Sequence, residues 1–180
     1  FHKGHSVDFF ADRTVDYLRS RRNEPDPFFC FVPFNGPYGH WPAIRGESQT
    51  RFDEIYHDLP LHSIPREGLN RRVIERYTQR VVEAGGTPHE RFAGPLLLPN
   101  DTTSLRNYFA QTSLIDDAVG RIMTALEENG LAEDTIIIYT ADHGFSLGHH
   151  GIWGHGLAAW PSSMLRPSYH VPLVMAGPGI

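Results

Sequence analysis

Cysteine is almost missing from this chain. Cys30 is the single one in 180 residues, so no disulfide can form within the chain and packing must hold its core. Lysine is as scarce: Lys3 stands alone among 16 basic residues, the rest being arginine. No apolar run approaches the roughly 18 residues a membrane-crossing helix needs, and no signal-peptide pattern is present. Positive charge is not in excess either. With a formal net charge of -5, the chain lacks the basic footprint of a nucleic-acid binder. Internal repeats and low-complexity tracts are absent. So is an initiator methionine: the chain opens on Phe1 and stops at Ile180, just after an apolar run. Both ends read as cuts in a longer polypeptide.

What remains is ordinary globular material. Hydrophobic residues make up 40% and charged residues 21%, enough for one domain with a real core. Val7, Phe10, Ala11, Thr14 and Leu18 recur at helical steps, predicting a helix over Ser6 to Arg22 with Ser6 as N-cap. Pro25 and Pro27 end it. Phe28 to Phe34, "FFCFVPF", is apolar on both faces, the pattern of a strand buried inside a parallel sheet, with Cys30 buried in it. Pro33 closes that strand.

A second helix follows Thr102 and Thr103, carrying Leu105, Tyr108, Phe109, Thr112, Ile115, Val119, Ile122, Met123 and Leu126 as one apolar stripe. Asp116 and Asp117 on it read as structural, and Gly130 supplies its left-handed stop. Two β-branched runs, Thr135 to Thr140 and His170 to Ala176, predict further buried strands. Strand, helix, strand is the order of an α/β layer with a mostly parallel sheet.

Residues 43–100 stand apart, with five prolines, eight arginines and eight acidic residues. They read as a near-neutral insertion containing a helix from about Arg66 to Glu83. A mixed-charge solvated loop is the plain reading. A lid that grips an anionic substrate through arginine is the alternative.

Chemistry gathers after the Thr135–Thr140 run, in "YTADHGFSLGHHGIWGHG". Ligands of open α/β sheets collect beyond the carboxyl ends of strands, which is where Asp142 and His143 fall. A carboxylate oxygen and an imidazole nitrogen adjacent in a turn can share one divalent cation. That donor pair does not choose between calcium, magnesium, manganese and zinc. Two ligands are too few for a catalytic metal, so others must come from elsewhere. Asp-His-Gly by itself is equally a polar turn.

The wider pattern narrows this. "DTIIIYTADHGFSLGHHGIWGHG" resembles the sulfatase family of the alkaline-phosphatase-like superfamily. There a helix ending in Gly-Leu leads to a strand, then to Thr/Ser-Asp-His/Asn-Gly and Leu-Gly-x-His-Gly-Leu-Trp-Gly. "HVPLVMAGPG" is similar to the family's following strand. "PFFCFVPFNGPYGHWPA" is similar to its first strand and the Asn-x-Pro-His-x-Pro loop after it. The resemblance implies a partial α/β/α layer of alkaline-phosphatase type, interrupted by the 43–100 insertion.

It also implies a reaction. Sulfatases hydrolyse sulfate esters with a formylglycine nucleophile beside a divalent metal, usually Ca2+. On that likeness Asp142 and His143 match the metal ligands, and some members place asparagine at the second position. His40 matches a histidine near the sulfate that helps protonate the leaving oxygen, although Tyr38 and Gly39 disturb that loop's spacing. His155 stands where many members carry a sulfate-contacting lysine, and it keeps a hydrogen-bond donor there whose charge depends on pH. His150 matches the family's Gly-x-His-Gly, while His149 reads as a solvent-facing turn residue and Trp153 as packing for the loop.

The family's Cys-x-Pro-Ser-Arg motif is not among these 180 residues, so the formylglycine is expected upstream of Phe1. The expected partner is a sulfated small molecule or glycan. Two other readings stay open: a phosphodiesterase or phosphonate monoester hydrolase of the same superfamily, and a non-catalytic binding module that keeps the fold.

Overall fold

The computed structural model describes residues 4–37, 50–64, 71–85, 102–147, 149, 153–155 and 164–180. Two long helices make its centre. Helix α1 spans Ser6–Arg21. Two helices of the 43–100 stretch follow, α2 (Asp53–Tyr56) and α3 (Arg71–Glu83). The longest helix is α4, Thr102–Glu128, and a one-turn helix α5 covers Arg166–Tyr169.

α1 buries Val7, Ala11, Thr14 and Leu18; Phe10, the fifth residue of the stripe read from its spacing, is only half-buried. Val7 and Ala11 pack with Leu114, Ile115 and Ala118 of α4, and Leu18 packs with Ala125 and Leu126. The two helices therefore run in the same direction. Alanines at the first of these contacts let the backbones come close, and the larger side chains fill the space on either side. Thr112 and Met123, expected in the α4 stripe, are exposed; Leu114, Ala118 and Ala125 take the buried positions. Just past the end of α4, Gly130 has a φ of 70°, the left-handed stop expected of it.

The 43–100 stretch is not merely solvated. Arg51 donates from Nη1 to both oxygens of Asp8 on α1 at 3.1 Å and from Nη2 to Asp117 on α4 at 2.5 Å, so Asp117 does make a structural bond. Arg121 of α4 joins this network through Asp8 at 3.3 Å and through Asp12. Phe52 packs against the α1–α4 core, and Leu61 and Ile64 bury with Leu105. One arginine thus ties the start of the 43–100 stretch to both central helices, Nη1 on Asp8 and Nη2 on Asp117.

The cap of α1 differs from expectation. His5, not Ser6, is the N-cap, and its Nδ1 accepts the Val7 N–H at 3.3 Å. Burial is the main cause that lowers the pKa of His5, with Arg51 assisting and Asp8 and Asp53 opposing. A protonated Nδ1 cannot accept, so the cap requires neutral imidazole. The sign follows: the unfolded chain takes up the proton first, and stability falls as pH drops below the ordinary histidine value of about 6.5. His5→Asn, a cap that does not titrate, is expected to lose less stability between pH 7.5 and pH 5.5 than the parent, by about 1 kcal/mol at the cap. Denaturant unfolding at the two pH values measures it, and equal losses would count against this cap.

The strands depart most from the sequence reading. β1 (Ile137–Thr140) pairs antiparallel with β4 (Leu173–Ala176), setting Ile137 opposite Ala176 and Thr140 opposite Leu173. β2 (Ser146–Leu147) pairs antiparallel with β3 (Trp153–Gly154). Among the described residues the pairing is antiparallel, in place of the expected parallel ladder. Both strands of the β1–β4 pair are largely exposed, including Ile138, Leu173 and Val174. The Phe28–Phe34 segment forms no regular strand. Phe29 and Phe31 are 89% and 77% exposed, and Cys30 is exposed rather than buried. The physical reason is shared: a strand apolar on both faces is buried only when neighbours cover both, and no described strand pairs with this one.

Gly177 closes β4 with a φ of 139°. A Cβ there would stand 2.6 Å from the Thr135 carbonyl oxygen, so the chain can pass this close to the start of β1 only with glycine. Among the described residues no helix is long and apolar enough to cross a membrane.

Candidate metal centre

β1 hands the chain directly to the candidate turn. After Thr140, whose Oγ1 donates to the Pro172 carbonyl at 2.9 Å, the backbone leaves the ladder and Asp142 and His143 follow. Asp142 Oδ1 lies 3.6 Å from His143 Nε2. The other ring nitrogen, Nδ1, stands 3.0 Å from the Gly144 carbonyl oxygen. A carbonyl only accepts, so Nδ1 carries the hydrogen and, in the neutral ring, Nε2 is left with its lone pair toward the carboxylate.

Two lone-pair atoms facing each other repel unless a positive charge sits between them. A proton on Nε2 would serve, and so would a metal ion. Ligand atoms held at about 2.0 to 2.6 Å from one cation commonly lie 3 to 4 Å from each other, and the observed separation falls in that range. The backbone carbonyl on Nδ1 is the partner that fixes tautomer and orientation in histidine metal ligands. The Asp142 side chain is 89% exposed and that of His143 32%, so the pair opens to solvent. Among the described residues no group of three or more His, Cys, Asp or Glu side chains is placed to hold a cation. Asp142 and His143 fit a metal as two ligands of an incomplete set.

His155 reaches this turn through the second ladder. Ser146 pairs with Gly154 and Leu147 with Trp153, which folds residue 155 back beside residues 143 and 145. Its ring stacks on His143 with centroids 3.9 Å apart and planes at 18°. Phe145 lies on another side at 6.4 Å and itself leans on Tyr108 of α4 at 5.4 Å. Burial is the first cause lowering the pKa of His155; His143 lowers it further and Asp142 opposes both. The fold therefore favours neutral His155, a hydrogen-bond donor without a fixed charge.

Gly144 is held from behind. Its N–H donates to the Ser168 carbonyl at 3.1 Å, and a Cβ added to it would overlap the Pro167 carbonyl oxygen. Its φ is ordinary, so what this glycine provides is close backbone contact. Ser146 and Ser168, both fully buried, face each other with hydroxyl oxygens 3.2 Å apart. Neither serine draws notice in the sequence; a buried hydroxyl pair 22 residues apart has no local signal.

Of the sequence-predicted residues, Asp142, His143 and His155 come together. His149 is exposed, as its reading as a turn residue requires. His40, Tyr38 and His150 lie outside the described residues.

Residues 2–180 match the sulfatase family. The chain belongs to that family. Human iduronate 2-sulfatase is 38% identical over 94% of this sulfatase chain, and Rhizobium meliloti choline-sulfatase is 29% identical over 97% of it. The chain spans 30% and 31% of the lengths of those relatives. The crystal structure of yidJ from Bacteroides fragilis superposes with a TM-score of 0.60 at 24% identity, covering 96% of this chain and 31% of its own. The fold is therefore that of the alkaline-phosphatase-like sulfatases, of which these residues form a part.

Proposed function

We propose that this segment supplies one wall of a sulfatase active site, in an enzyme that hydrolyses sulfuric esters. The observation that carries the reading is the Asp142–His143 pair, 3.6 Å apart and open to solvent at the end of β1, in a chain of the sulfatase family. Asp142 and His143 would hold a divalent cation, for which Ca2+ is the choice the family resemblance favours. When bound, that cation supplies positive charge to the sulfate group and to the attacking oxygen.

The chain's own residues do the rest on this wall. The Gly144 carbonyl keeps the His143 proton on Nδ1. His155 offers an N–H to a sulfate oxygen, and its depressed pKa makes it a neutral donor at neutral pH. His40 serves as the acid for the leaving oxygen in this reading. The formylglycine and the remaining metal ligands come from sequence beyond these 180 residues. That sequence would also complete a mostly parallel sheet over the exposed apolar side chains of Phe29, Phe31, Ile138 and Val174.

The substrate class is a sulfate ester of a small molecule or glycan. α3 supports an anionic one: Arg72, Arg76 and Arg80 are exposed and follow one another at four-residue steps, so they share a face of the helix.

The test compares the full polypeptide containing these residues with the 180-residue segment alone. The full polypeptide is expected to hydrolyse an aryl sulfate, to stop when the metal is chelated, and to gain thermal stability as Ca2+ is added. The segment alone is expected to give no metal-dependent rate. Faster hydrolysis of an aryl phosphodiester than of the sulfate would move the assignment to phosphate chemistry. No rate and no stabilisation by Ca2+ would leave a binding module.

A further inference from the structure

We infer that Ser168 is a positioning residue that sets His155 against the Asp142–His143 pair. This rests on the sulfatase reading for what the three residues do, though not for how they are held. A turn whose carboxylate is almost wholly in solvent gains little orientation from packing around that side chain. The backbone must supply the orientation, and Ser168 grips it at two points. Its carbonyl accepts the Gly144 N–H at 3.1 Å, one residue beyond His143. Its hydroxyl meets that of Ser146 at 3.2 Å, two residues further on.

The second contact extends beyond the turn. Ser146 lies in β2, opposite Gly154 of β3, and Gly154 immediately precedes His155. A shift of Ser146 relative to Ser168 therefore moves the β2–β3 register and the ring stacked on His143. Ser168 is the common anchor: the carbonyl holds the Asp142–His143 side, the hydroxyl holds the His155 side.

Ser168 is itself well seated. It sits in α5, where Pro167 at the helix start fixes the backbone in advance. Its N–H donates to the Leu165 carbonyl at 2.9 Å, and the His170 N–H donates to that of Arg166 at 2.8 Å. Both serines are fully buried. Two apolar side chains of similar size would fill that space at little net cost. Burial therefore does not explain the hydroxyls; a directional bond between them does, because it accepts only one relative placement of β2 and α5.

The variants are Ser168→Ala and the double Ser146→Ala/Ser168→Ala, made in the full polypeptide. Both keep the Ser168 carbonyl, so they isolate the hydroxyl. The single variant leaves the Ser146 hydroxyl buried without this partner, so its melting temperature is expected to fall. Its Ca2+ affinity by calorimetry is expected to fall about tenfold, the usual effect of removing a group that orients a ligand. The double variant removes the stranded hydroxyl and is expected to recover the melting temperature but not the affinity. Affinity restored along with stability would show that the pair only packs, and would overturn the proposal. So would an unchanged affinity in the single variant.

A second readout does not need the metal. The imidazole proton resonances of His143 and His155 report their stacking, and both are expected to shift in the two variants. If the parent protein binds no Ca2+, the metal reading fails while this measurement still decides the role of Ser168: unmoved resonances overturn it.

Discussion

Gly144→Ala is expected to destabilise the protein by about 2–4 kcal/mol and to abolish metal binding at concentrations that saturate the parent. The added methyl would occupy the place of the Pro167 carbonyl oxygen, with Pro167 C and Ser168 C each 3.0 Å away. All three are backbone atoms of a segment fixed by its own hydrogen bonds, so no side chain can swing aside. Overpacking of this kind costs about 1–3 kcal/mol. If the turn moves out to relieve it, the Gly144–Ser168 bond is lost as well, at about another 1 kcal/mol. Backbone strain contributes nothing, since glycine here has an ordinary φ. The displaced turn carries Asp142 and His143 with it, and a cation held by two donors 3.6 Å apart does not tolerate a shift of an ångström or more. Thermal unfolding and a Ca2+ titration of the same sample check both halves. A variant with the parent's melting temperature and affinity would show that α5 yields, and that the close contact does not hold the turn.

How much of this was legible in the sequence depends on how local each signal is. The α1 stripe of Val7, Phe10, Ala11, Thr14 and Leu18 follows from spacing along one helix, and four of the five are buried, Phe10 being half-buried. The Gly130 stop is local too. Strand burial is not local. "FFCFVPF" and the Thr135–Thr140 run announce apolar faces without stating what covers them, and in the structure Phe29, Phe31 and Ile138 face outward. The antiparallel partner of β1 lies more than thirty residues on, at a register that alternation cannot supply.

The site divides in the same way. Asp142 and His143 are neighbours in sequence at a strand end, so their pairing could be read directly. His155 could be named only through resemblance, because its stack on His143 depends on the short β2–β3 ladder. Ser146 and Ser168 were silent. In residues 43–100, balanced charge suggests a solvated loop, while Arg51 binds carboxylates on two helices; composition counts charges and does not show where their partners lie.

Asp142 and His143 are expected to respond unequally to loss of their ligating groups. Asp142→Asn keeps the shape of the side chain and removes its charge. A hard divalent cation gains most from an anionic oxygen, so Ca2+ affinity should fall by about 100-fold or more, roughly 2.7 kcal/mol, and sulfate ester hydrolysis should fall with it. His143→Asn replaces a neutral nitrogen donor by a neutral oxygen donor, the alternative that the family's Asp-His/Asn-Gly pattern already contains. Its loss should be smaller, about tenfold or less in affinity. Calorimetric Ca2+ titrations of the parent and both variants would read this difference directly. Equal small losses for both variants would mean that the pair faces a cation's site without binding it, and that Asp142 and His143 form only the polar turn that Asp-His-Gly can always make.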